Sequence, residues 1–486
     1  MPKRKRFAGS IVGFIAGLLL SMPAGTIASP LPLAPGDLAW SVSFGAGVPL
    51  THAGFDAVAA HGGFVAAVGE KSTYGPVSDP FEGRPLLERD GLVFGIDASN
   101  GDELWSRMFP GAPNTWQTLD AVALSPDGSW VFVTGSESPK DEFDRNVLIL
   151  CFDTATGDLL WERRYGDGTK DRWGSFIEVT PDGGTVVVGG GAWENSHPPV
   201  IGPVGGRFVT LALDAATGVV EWHREWQHRF GLDRVDEARG MALSPDGSQV
   251  VVTGMSNRKA RGIDYATIAY AVEDGTRSWI AWFDGPATGL DDQDTPEDVV
   301  YDPDGSQVVV TGYSWNNRNG YMFATLAYRA SDGHRRWLVR YEGPARGLTS
   351  DIPTGAAFAP NGTQVYVTGD DQRSVSTVAY GAGSGSERWV RVRSHAAGKV
   401  HPSDGLAVDS DDGTVLMGGR LGPKAHPFAA MALDPADGAR LWASGPPSDD
   451  TRLRHFTASG DQLLIVGRVV NGNASIPAIA SYDSSS

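Results

Sequence analysis

The chain has 486 residues, of which 58 are Asp or Glu and 40 are Lys or Arg, so its formal net charge is −18. An acidic surface repels nucleic-acid phosphates and anionic lipid headgroups, which argues against nucleic acid and anionic membranes as partners. A single cysteine excludes an internal disulfide framework.

The N-terminal segment has the layout of a secretory signal peptide. The basic residues 3–6 precede an apolar run over 7–22, and the small residues around Ala28 suit cleavage. The run is too short for a stable membrane span. We therefore predict a signal peptide over 1–28 and a protein that is secreted or held in the cell envelope. Removing four positive charges with this segment leaves a mature chain of net charge −22.

A glycine is followed four residues later by a tryptophan eight times along the rest of the chain. Successive tryptophans lie about 50 to 65 residues apart, the spacing typical of a four-stranded propeller blade. The pairs are Gly36/Trp40, Gly101/Trp105, Gly157/Trp161, Gly218/Trp222, Gly275/Trp279, Gly333/Trp337, Gly385/Trp389 and Gly438/Trp442.

A tight turn precedes most of these pairs and lies between two apolar runs. Proline presets φ, Asp or Asn tolerates the turn geometry, and glycine accepts positive φ, so each turn predicts a hairpin. The turns are 125–128, 180–183, 244–247, 302–305 and 359–362. A third strand then leads into the glycine, and the tryptophan lies on a fourth. Six repeats carry another aromatic residue four positions after the tryptophan, and we expect these pairs to pack between blades.

The two ends of the repeat array complement each other. The first Gly/Trp pair has no hairpin before it, and the last repeat, ending near Asp483, lacks a fourth strand. Because Pro35–Trp40 closely resembles Thr156–Trp161, the N-terminal strand can complete the last blade and remove an open sheet edge. We therefore predict that residues 29–486 form a single all-β domain, an eight-bladed β-propeller that is monomeric.

The stretch Ala212–Gly218 leading to Trp222 resembles the tryptophan-docking repeat of quinoprotein (PQQ-like) propellers, and the Pro-Asp-Gly hairpins resemble those of secreted bacterial propellers. This resemblance implies a fold shared by dehydrogenases and noncatalytic assembly scaffolds. Enzymatic members of the family use adjacent cysteines beside the quinone. Here Cys151 is the only cysteine, in an apolar run, and no Cys-x-x-Cys-His haem site is present. This departure argues against PQQ and against dehydrogenase activity.

Further catalytic signatures are also missing from the sequence. It contains no Gly-x-Ser-x-Gly elbow, no His-Glu-x-x-His motif and no glycine-rich phosphate loop. The sequence thus favours an exported, noncatalytic binding or scaffold protein. The alternative is an enzyme with its site at the mouth of the central channel, either a diverged quinoprotein-type oxidoreductase or a lyase or hydrolase.

The lengths of the connections indicate where a binding site lies. The tight turns fall on one side of the ring, and the other side, which we call the long-loop face, receives the longer and more varied connections. These include 71–90, 193–207, 224–240, 284–298 and 394–404. Functional groups generally lie on variable loops held by a rigid scaffold. We expect a protein or glycan partner to bind this face.

Two sets of residues on this face are candidate ligands. Asp236, Asp294 and Asp351 each lie nine residues before the proline of their own hairpin turn, and such carboxylates either bind calcium or accept hydrogen bonds from loop amides. We expect no other cofactor. Four tryptophans fall outside the repeated positions and either anchor the partner or pack the loops. They are Trp116, Trp173, Trp193 and Trp315.

Overall fold

The computed structural model describes most of the chain after the predicted signal peptide, which itself lies outside the described residues. All described residues belong to one compact unit, Ala34–Ser486. The described ranges are 37–44, 51–75, 85–110, 114–140, 144–194, 205–228, 235–257, 262–287, 292–316, 320–344, 349–370, 374–394, 405–419, 429–444, 451–459, 462–471 and 474–484.

The described part of the chain is all-β, as the repeated hairpins predicted, and contains no helix. Accordingly, none of the described residues lies in a helix with the length and apolarity to cross a membrane. The strands are β1 (Leu38–Ser43), β2 (Thr51–His61), β3 (Phe64–Tyr74), β4 (Leu86–Asp97), β5 (Glu103–Phe109), β6 (Thr115–Leu124), β7 (Trp130–Pro139), β8 (Asn146–Asp153), β9 (Leu159–Tyr165), β10 (Asp171–Val179), β11 (Thr185–Trp193), β12 (Arg207–Asp214), β13 (Val220–Trp226), β14 (Asp236–Leu243), β15 (Gln249–Ser256), β16 (Gly262–Ala271), β17 (Arg277–Phe283), β18 (Asp292–Tyr301), β19 (Gln307–Asn316), β20 (Gly320–Arg329), β21 (Arg335–Tyr341), β22 (Thr349–Ser350), β23 (Ile352–Phe358), β24 (Gln364–Asp370), β25 (Ser374–Gly381), β26 (Glu387–Ser394), β27 (Gly405–Val408), β28 (Val415–Gly419), β29 (Ala429–Leu433), β30 (Arg440–Ser444), β31 (Thr451–Ser459), β32 (Gln462–Asn471) and β33 (Ala474–Asp483).

The strands pair as antiparallel four-stranded units, which we call blades. Four sheets each consist of one blade, namely β6–β9, β10–β13, β23–β26 and β27–β30. Short parallel pairings join further blades into larger sheets: β16 pairs with β18 between the blades β14–β17 and β18–β21, and β33 pairs with β2 at the start of the blade β2–β5. The first strand, β1, pairs antiparallel with the last, β33, with Trp40 opposite Ser481.

The first strands of the blades lie side by side. β2, β6, β10, β14, β18, β23, β27 and β31 contact one another in that order, and β31 also contacts β2. The apolar side chains of each blade pack against those of its neighbour, so the core consists of layers between the sheets. In one such layer Trp161 and Ile149 of the blade β6–β9 pack with Leu211 of the next blade.

The predicted turns are confirmed. At the first Pro-Asp-Gly turn, Gly128 has φ of +72° and its N–H donates to the carbonyl of Ser125 at 2.9 Å. The carboxylate of Asp127 accepts from the hydroxyl of Ser125 at 2.6 Å and from the N–H of Ser129 at 3.0 Å. The corresponding glycines 183, 247, 305 and 362 share the positive φ. Local side-chain bonds therefore fix the hairpins that begin these five blades.

The repeated tryptophans dock between blades, as expected. Trp161 is 8 % exposed, and its Nε1 donates to the carbonyl of Ala215 in the next blade at 2.9 Å. The same bond to the following blade is made by Trp40, Trp105, Trp222, Trp279, Trp337 and Trp389. Two of the aromatic residues four positions later are buried, Phe44 and Phe283, and four are half-buried, Phe109, Tyr165, Trp226 and Tyr341.

The single cysteine lies in the core. Cys151 is fully buried in β8, in the same apolar cluster as Phe132 and Trp161. Burial first and the carboxylate of Asp153 second raise the pKa of its thiol to about 12. A thiol with such a pKa is protonated at neutral pH and is a poor nucleophile and metal ligand.

Candidate functional site

The four candidate tryptophans all lie at the ends of strands that point to the long-loop face. Trp116 and Trp173 are near the beginning of first strands, and Trp193 and Trp315 are at or next to the end of second strands. All four are half-buried. Only Trp173 and Trp193, which share one blade, are brought together; Trp116 and Trp315 lie in two other blades.

Trp116 lies in a recess on this face between the blade β2–β5 and the blade β6–β9. The recess has a volume of about 600 Å³ and is also lined by the exposed apolar side chains Leu87 and Met108, which are 44 % and 52 % exposed. The cations Lys71 and Lys140 lie on its wall. The indole Nε1 of Trp116 has no hydrogen-bond partner among the described residues. This Nε1 is buried, so the recess presents the face of the indole and the exposed apolar side chains beside charged groups.

Trp173 and Trp193 form a pair inside one blade. Their rings meet edge to face with centroids 4.8 Å apart. The guanidinium of Arg145 lies over Trp173 at 5.0 Å from the ring centroid, and a β-carbon at Gly191 would lie 2.8 Å from Cη2 of the same indole. Arg145 is itself fixed by two bonds to Asp171, at 2.5 and 2.8 Å. Trp173 is therefore held on three sides by its own blade and the neighbouring Arg145.

Trp315 packs within the blade β18–β21. Its ring meets Tyr321 edge to face with centroids 4.8 Å apart, and Tyr313 contacts the other side of Tyr321 at 4.9 Å. The hydroxyl of Tyr321 donates to the side chain of Gln293 at 2.9 Å. These contacts make a half-buried aromatic group at the end of the blade.

Asp236, Asp294 and Asp351 occupy equivalent places in three successive blades and are buried, at 1 %, 0 % and 1 % exposure. Each accepts a hydrogen bond from the backbone N–H that follows the preceding blade. The donors are His228 at 3.2 Å, Gly285 at 2.6 Å and Gly343 at 2.8 Å. The three carboxylates thus hold the connections between blades.

The structure brings Asp294 together with two other carboxylates instead. Asp264 of β16, Asp284 just after β17 and Asp294 each place an oxygen within 4.8 Å of the other two. Among the described residues this is the one group of three acidic, histidine or cysteine side chains that meets this criterion. Sequence reasoning missed Asp264 and Asp284 because it compared positions within single blades, whereas this group spans two.

A second recess lies where β2 and β31 meet. Its volume is about 430 Å³ and it is lined by His52, Asp56, Glu70, Arg454 and other side chains. Desolvation first and the carboxylate of Glu70 second raise the pKa of Asp56 to about 6, against the opposing effect of Arg454 and Arg468. This recess contains opposite charges and suits a polar ligand.

A serine lies close to a histidine at the edge of that recess. The Oγ of Ser475 is 3.4 Å from Nδ1 of His52. However, the hydroxyl of Ser475 is 3 % exposed and donates to the backbone carbonyl of Ala53 at 3.1 Å. An activated serine nucleophile is exposed to substrate and bonded to its base. The geometry here does not match that arrangement.

Comparison with known proteins identifies the family. A family model described as outer membrane protein assembly factor BamB matches residues 89–267 and 211–444. The chain belongs to this family. Comparison with curated proteins gave no match.

Solved structures of two quinohemoprotein dehydrogenases agree with a β-propeller fold. The quinohemoprotein alcohol dehydrogenase from Comamonas testosteroni gives a TM-score of 0.56 at 12 % identity, over 92 % of this chain and 76 % of that one. The alcohol dehydrogenase ADHIIG from Pseudomonas putida HK5 gives 0.54 at 11 % identity, over 92 % and 76 %. BamB from Moraxella catarrhalis gives 0.45 at 12 % identity, over 85 % and 93 %. At these identities the likeness concerns the fold alone.

The residues of this BamB-family chain do not fit a quinone of the type that the dehydrogenases bind. The only cysteine in the sequence is fully buried between two blades, so no vicinal pair is available to contact a quinone ring. We therefore assign no chemical step to PQQ in this chain.

Proposed function

We propose that the protein is an exported, noncatalytic β-propeller that binds a protein partner through its long-loop face. The observation that carries the proposal is the recess around Trp116, in a chain whose family is described as an outer membrane protein assembly factor. Protein-binding surfaces are enriched in tryptophan, methionine and arginine, with a polar rim. Trp116, Met108 and Arg89 line this recess, and lysines flank them.

A protein partner is favoured over a glycan by the character of the recess. The recess combines the exposed apolar side chains of Leu87 and Met108 with charged groups such as Arg89. A protein segment can present an apolar anchor together with complementary charges, whereas a neutral sugar presents mainly hydroxyl groups. Burial of apolar area contributes about 25 cal/mol for each Å² removed from water. A protein segment with an apolar anchor would therefore gain more in this recess than a sugar.

The proposal includes an eight-bladed ring closed by both termini. The pairing of β1 with β33 and the contact of β31 with β2 support it. It also includes export directed by residues 1–28, which the basic and apolar pattern of that segment supports. We further propose that the mature chain is a monomer. Neither nucleic acid nor a membrane is a partner in this proposal, because the mature chain is strongly acidic.

Site-specific photo-crosslinking in the native host tests the partner surface. A photoreactive amino acid at Met108 lies in the recess, and one at Leu160, which is 48 % exposed on the fourth strand of the neighbouring blade, is the matched control. We expect one crosslinked protein from position 108, none from position 160, and loss of the product in Trp116→Ala. The same product from both positions would contradict a site in the recess.

A glycan array with the mature protein tests the other class of partner. Binding of a glycan that depends on Trp116, without any crosslinked protein, would replace the protein partner by a sugar. Absence of both signals in folded protein would mean that the recess is not a binding site.

A further inference from the structure

Three carboxylates converge at the junction of the blade β14–β17 with the blade β18–β21. Asp264 lies on the third strand of the first blade, Asp284 directly follows its fourth strand, and Asp294 lies on the first strand of the second blade. One oxygen of each lies within 4.8 Å of the other two. Asp264 and Asp294 are 2 % and 0 % exposed, and Asp284 is half-buried. Negative charges held this close in a buried place repel one another strongly.

A buried hydroxyl points toward the same group. Ser314 of β19 is directly opposite Asp294 in the antiparallel pairing, so the two side chains share a face of the sheet. Ser314 is 0 % exposed, and its Oγ has no hydrogen-bond partner among the described residues. Leaving a buried hydroxyl without a partner costs about 1–3 kcal/mol. A cation coordinated by this oxygen would offset this cost.

Gly285 opens the space beside these oxygens. A β-carbon at this position would collide with both the Oδ1 of Asp294 and the Oγ of Ser314. Meanwhile the N–H of Gly285 donates to the Oδ2 of Asp294 at 2.6 Å, which fixes the carboxylate with its other oxygen toward Ser314. The carboxylate and the hydroxyl therefore border one small space next to Asp284.

The repeat supplies an internal comparison. Strand register makes the pairs Phe208/Trp226, Tyr265/Phe283 and Phe323/Tyr341 equivalent, which aligns the residues around them. This alignment gives the residues equivalent to Asp264, Asp284 and Asp294 in the two neighbouring blades. They are Arg207, Gln227 and Asp236 in the blade before, and Met322, Glu342 and Asp351 in the blade after. Of these three junctions, only the one at Asp294 combines three carboxylates.

We propose that Asp264, Asp284, Asp294 and Ser314 bind a hard divalent cation, with calcium preferred. All four ligand atoms are oxygens, the donor type that calcium and magnesium prefer, whereas zinc and copper favour nitrogen and sulfur. Calcium accepts six to eight oxygen ligands in flexible geometry. The four side chains would supply one oxygen each, and water would complete the coordination shell. The ion would tie the third strand and the segment after the fourth strand of one blade to the first two strands of the next.

This cation site differs from the triad that the repeat predicted. Asp236 and Asp351 hold backbone amides in other junctions, and only Asp294 is common to both sets. The inference does not rest on the proposed partner site, which lies in other blades.

Calcium titration of the chelator-treated mature protein tests the inference. We expect the melting temperature to rise with the logarithm of the calcium concentration once this exceeds the dissociation constant. That constant should lie between about 10⁻⁷ and 10⁻³ M, the range that covers sensor and extracellular sites. Calorimetric titration should give one calcium per chain. Unchanged melting and no binding heat at about 10 mM calcium, well above that range, would overturn the proposal.

Matched variants then locate the ion. Asp284→Asn, at the half-buried ligand, should weaken calcium binding at least tenfold, and Ser314→Ala should weaken it by a smaller factor. Glu342→Gln and Asp351→Asn change the equivalent positions of the next junction and should leave the calcium affinity as in the unmodified protein. Binding that survives Asp284→Asn and Asp264→Asn in folded protein, or that is lost equally in Glu342→Gln, would place the cation elsewhere and refute this site.

Discussion

A β-carbon on Gly218 would lie 2.6 Å from Cε3 of Trp161, a residue of the preceding blade. The glycine has φ of +65°, so its turn both requires the left-handed region and presents bare backbone to the indole. The same contact joins Trp222 to Gly275 and Trp279 to Gly333. The glycine of one repeat therefore contacts the preceding blade, and its tryptophan contacts the following blade. The repeated Gly/Trp spacing thus reflects the way each blade packs on the next.

Removing a docking tryptophan should destabilise the propeller strongly. We expect Trp222→Ala or Trp279→Ala to lower the free energy of unfolding by about 3–5 kcal/mol, because a large buried side chain leaves a cavity. Chemical denaturation measures the change. Leu160→Ala, at a side chain that is 48 % exposed, is the control and should cost less than about 0.5 kcal/mol. A cost below about 1 kcal/mol at both tryptophans would contradict their role in the core.

The indole hydrogen bond can be separated from the packing of the ring. Nε1 of Trp279 donates to the carbonyl of Ala330 at 2.6 Å, whereas Nε1 of Trp442 has no partner among the described residues. We expect Trp279→Phe to cost about 1 kcal/mol more than Trp442→Phe, since the first change leaves a carbonyl without its donor. Equal costs at the two sites would mean that the bond adds nothing to stability.

The N-terminal strand should be needed for a stable sheet. Removing residues 29–48 deletes β1 and exposes the edge of β33, whose residues Ala478 to Tyr482 pair with it. An unpaired edge promotes association between chains. We expect the melting temperature to fall by many degrees and aggregation to increase, as followed by calorimetry and light scattering. Removal of 29–36 alone, which keeps β1, is the control; unchanged melting after the longer deletion would disprove the shared sheet.

Stability should also depend on pH through a carboxylate between blades. Desolvation raises the pKa of Glu178 to about 7, although the N–H of Leu243 donates to it at 3.0 Å. In the unfolded chain the pKa of glutamate is about 4.3. Between about pH 4 and pH 7 the folded state therefore keeps a proton that the unfolded state releases. The stability that this difference contributes is fully present below about pH 4 and is lost as the pH rises toward 7.

Replacement of this carboxyl group by an amide tests whether Glu178 makes the protein less stable as the pH rises. We expect Glu178→Gln to gain stability relative to the unmodified protein between pH 5 and pH 8. Asp127 is the control, because bonds from Ser125 and Ser129 hold the pKa of its carboxyl at about 2. The effect of Asp127→Asn should accordingly stay constant from pH 5 to pH 8, and change only as the pH falls below about 4 toward the lowered pKa. A stability difference for Glu178→Gln that does not vary with pH would contradict the raised pKa.

The sequence predicted the repeated features of this fold more completely than its sites. Turns such as Ser125–Gly128 and the docking of Trp161 follow local rules that recur in most blades, so each copy supports the others. The group of Asp264, Asp284 and Asp294 could not be predicted from one repeat, because it depends on how two blades approach each other. Aligning strand registers across blades is the signal that would have found it.

The two half-buried tryptophans Trp116 and Trp173 should respond differently to substitution. Trp173 is enclosed by Arg145, Trp193 and the backbone at Gly191, so Trp173→Ala should cost about 3 kcal/mol or more of stability. Trp116 lines an open recess, and Trp116→Ala should change the melting temperature little while it abolishes the crosslink from position 108. Calorimetry and crosslinking of both variants check the contrast. If Trp116→Ala destabilises as much as Trp173→Ala, Trp116 is a packing residue and the partner binds at another place on the long-loop face.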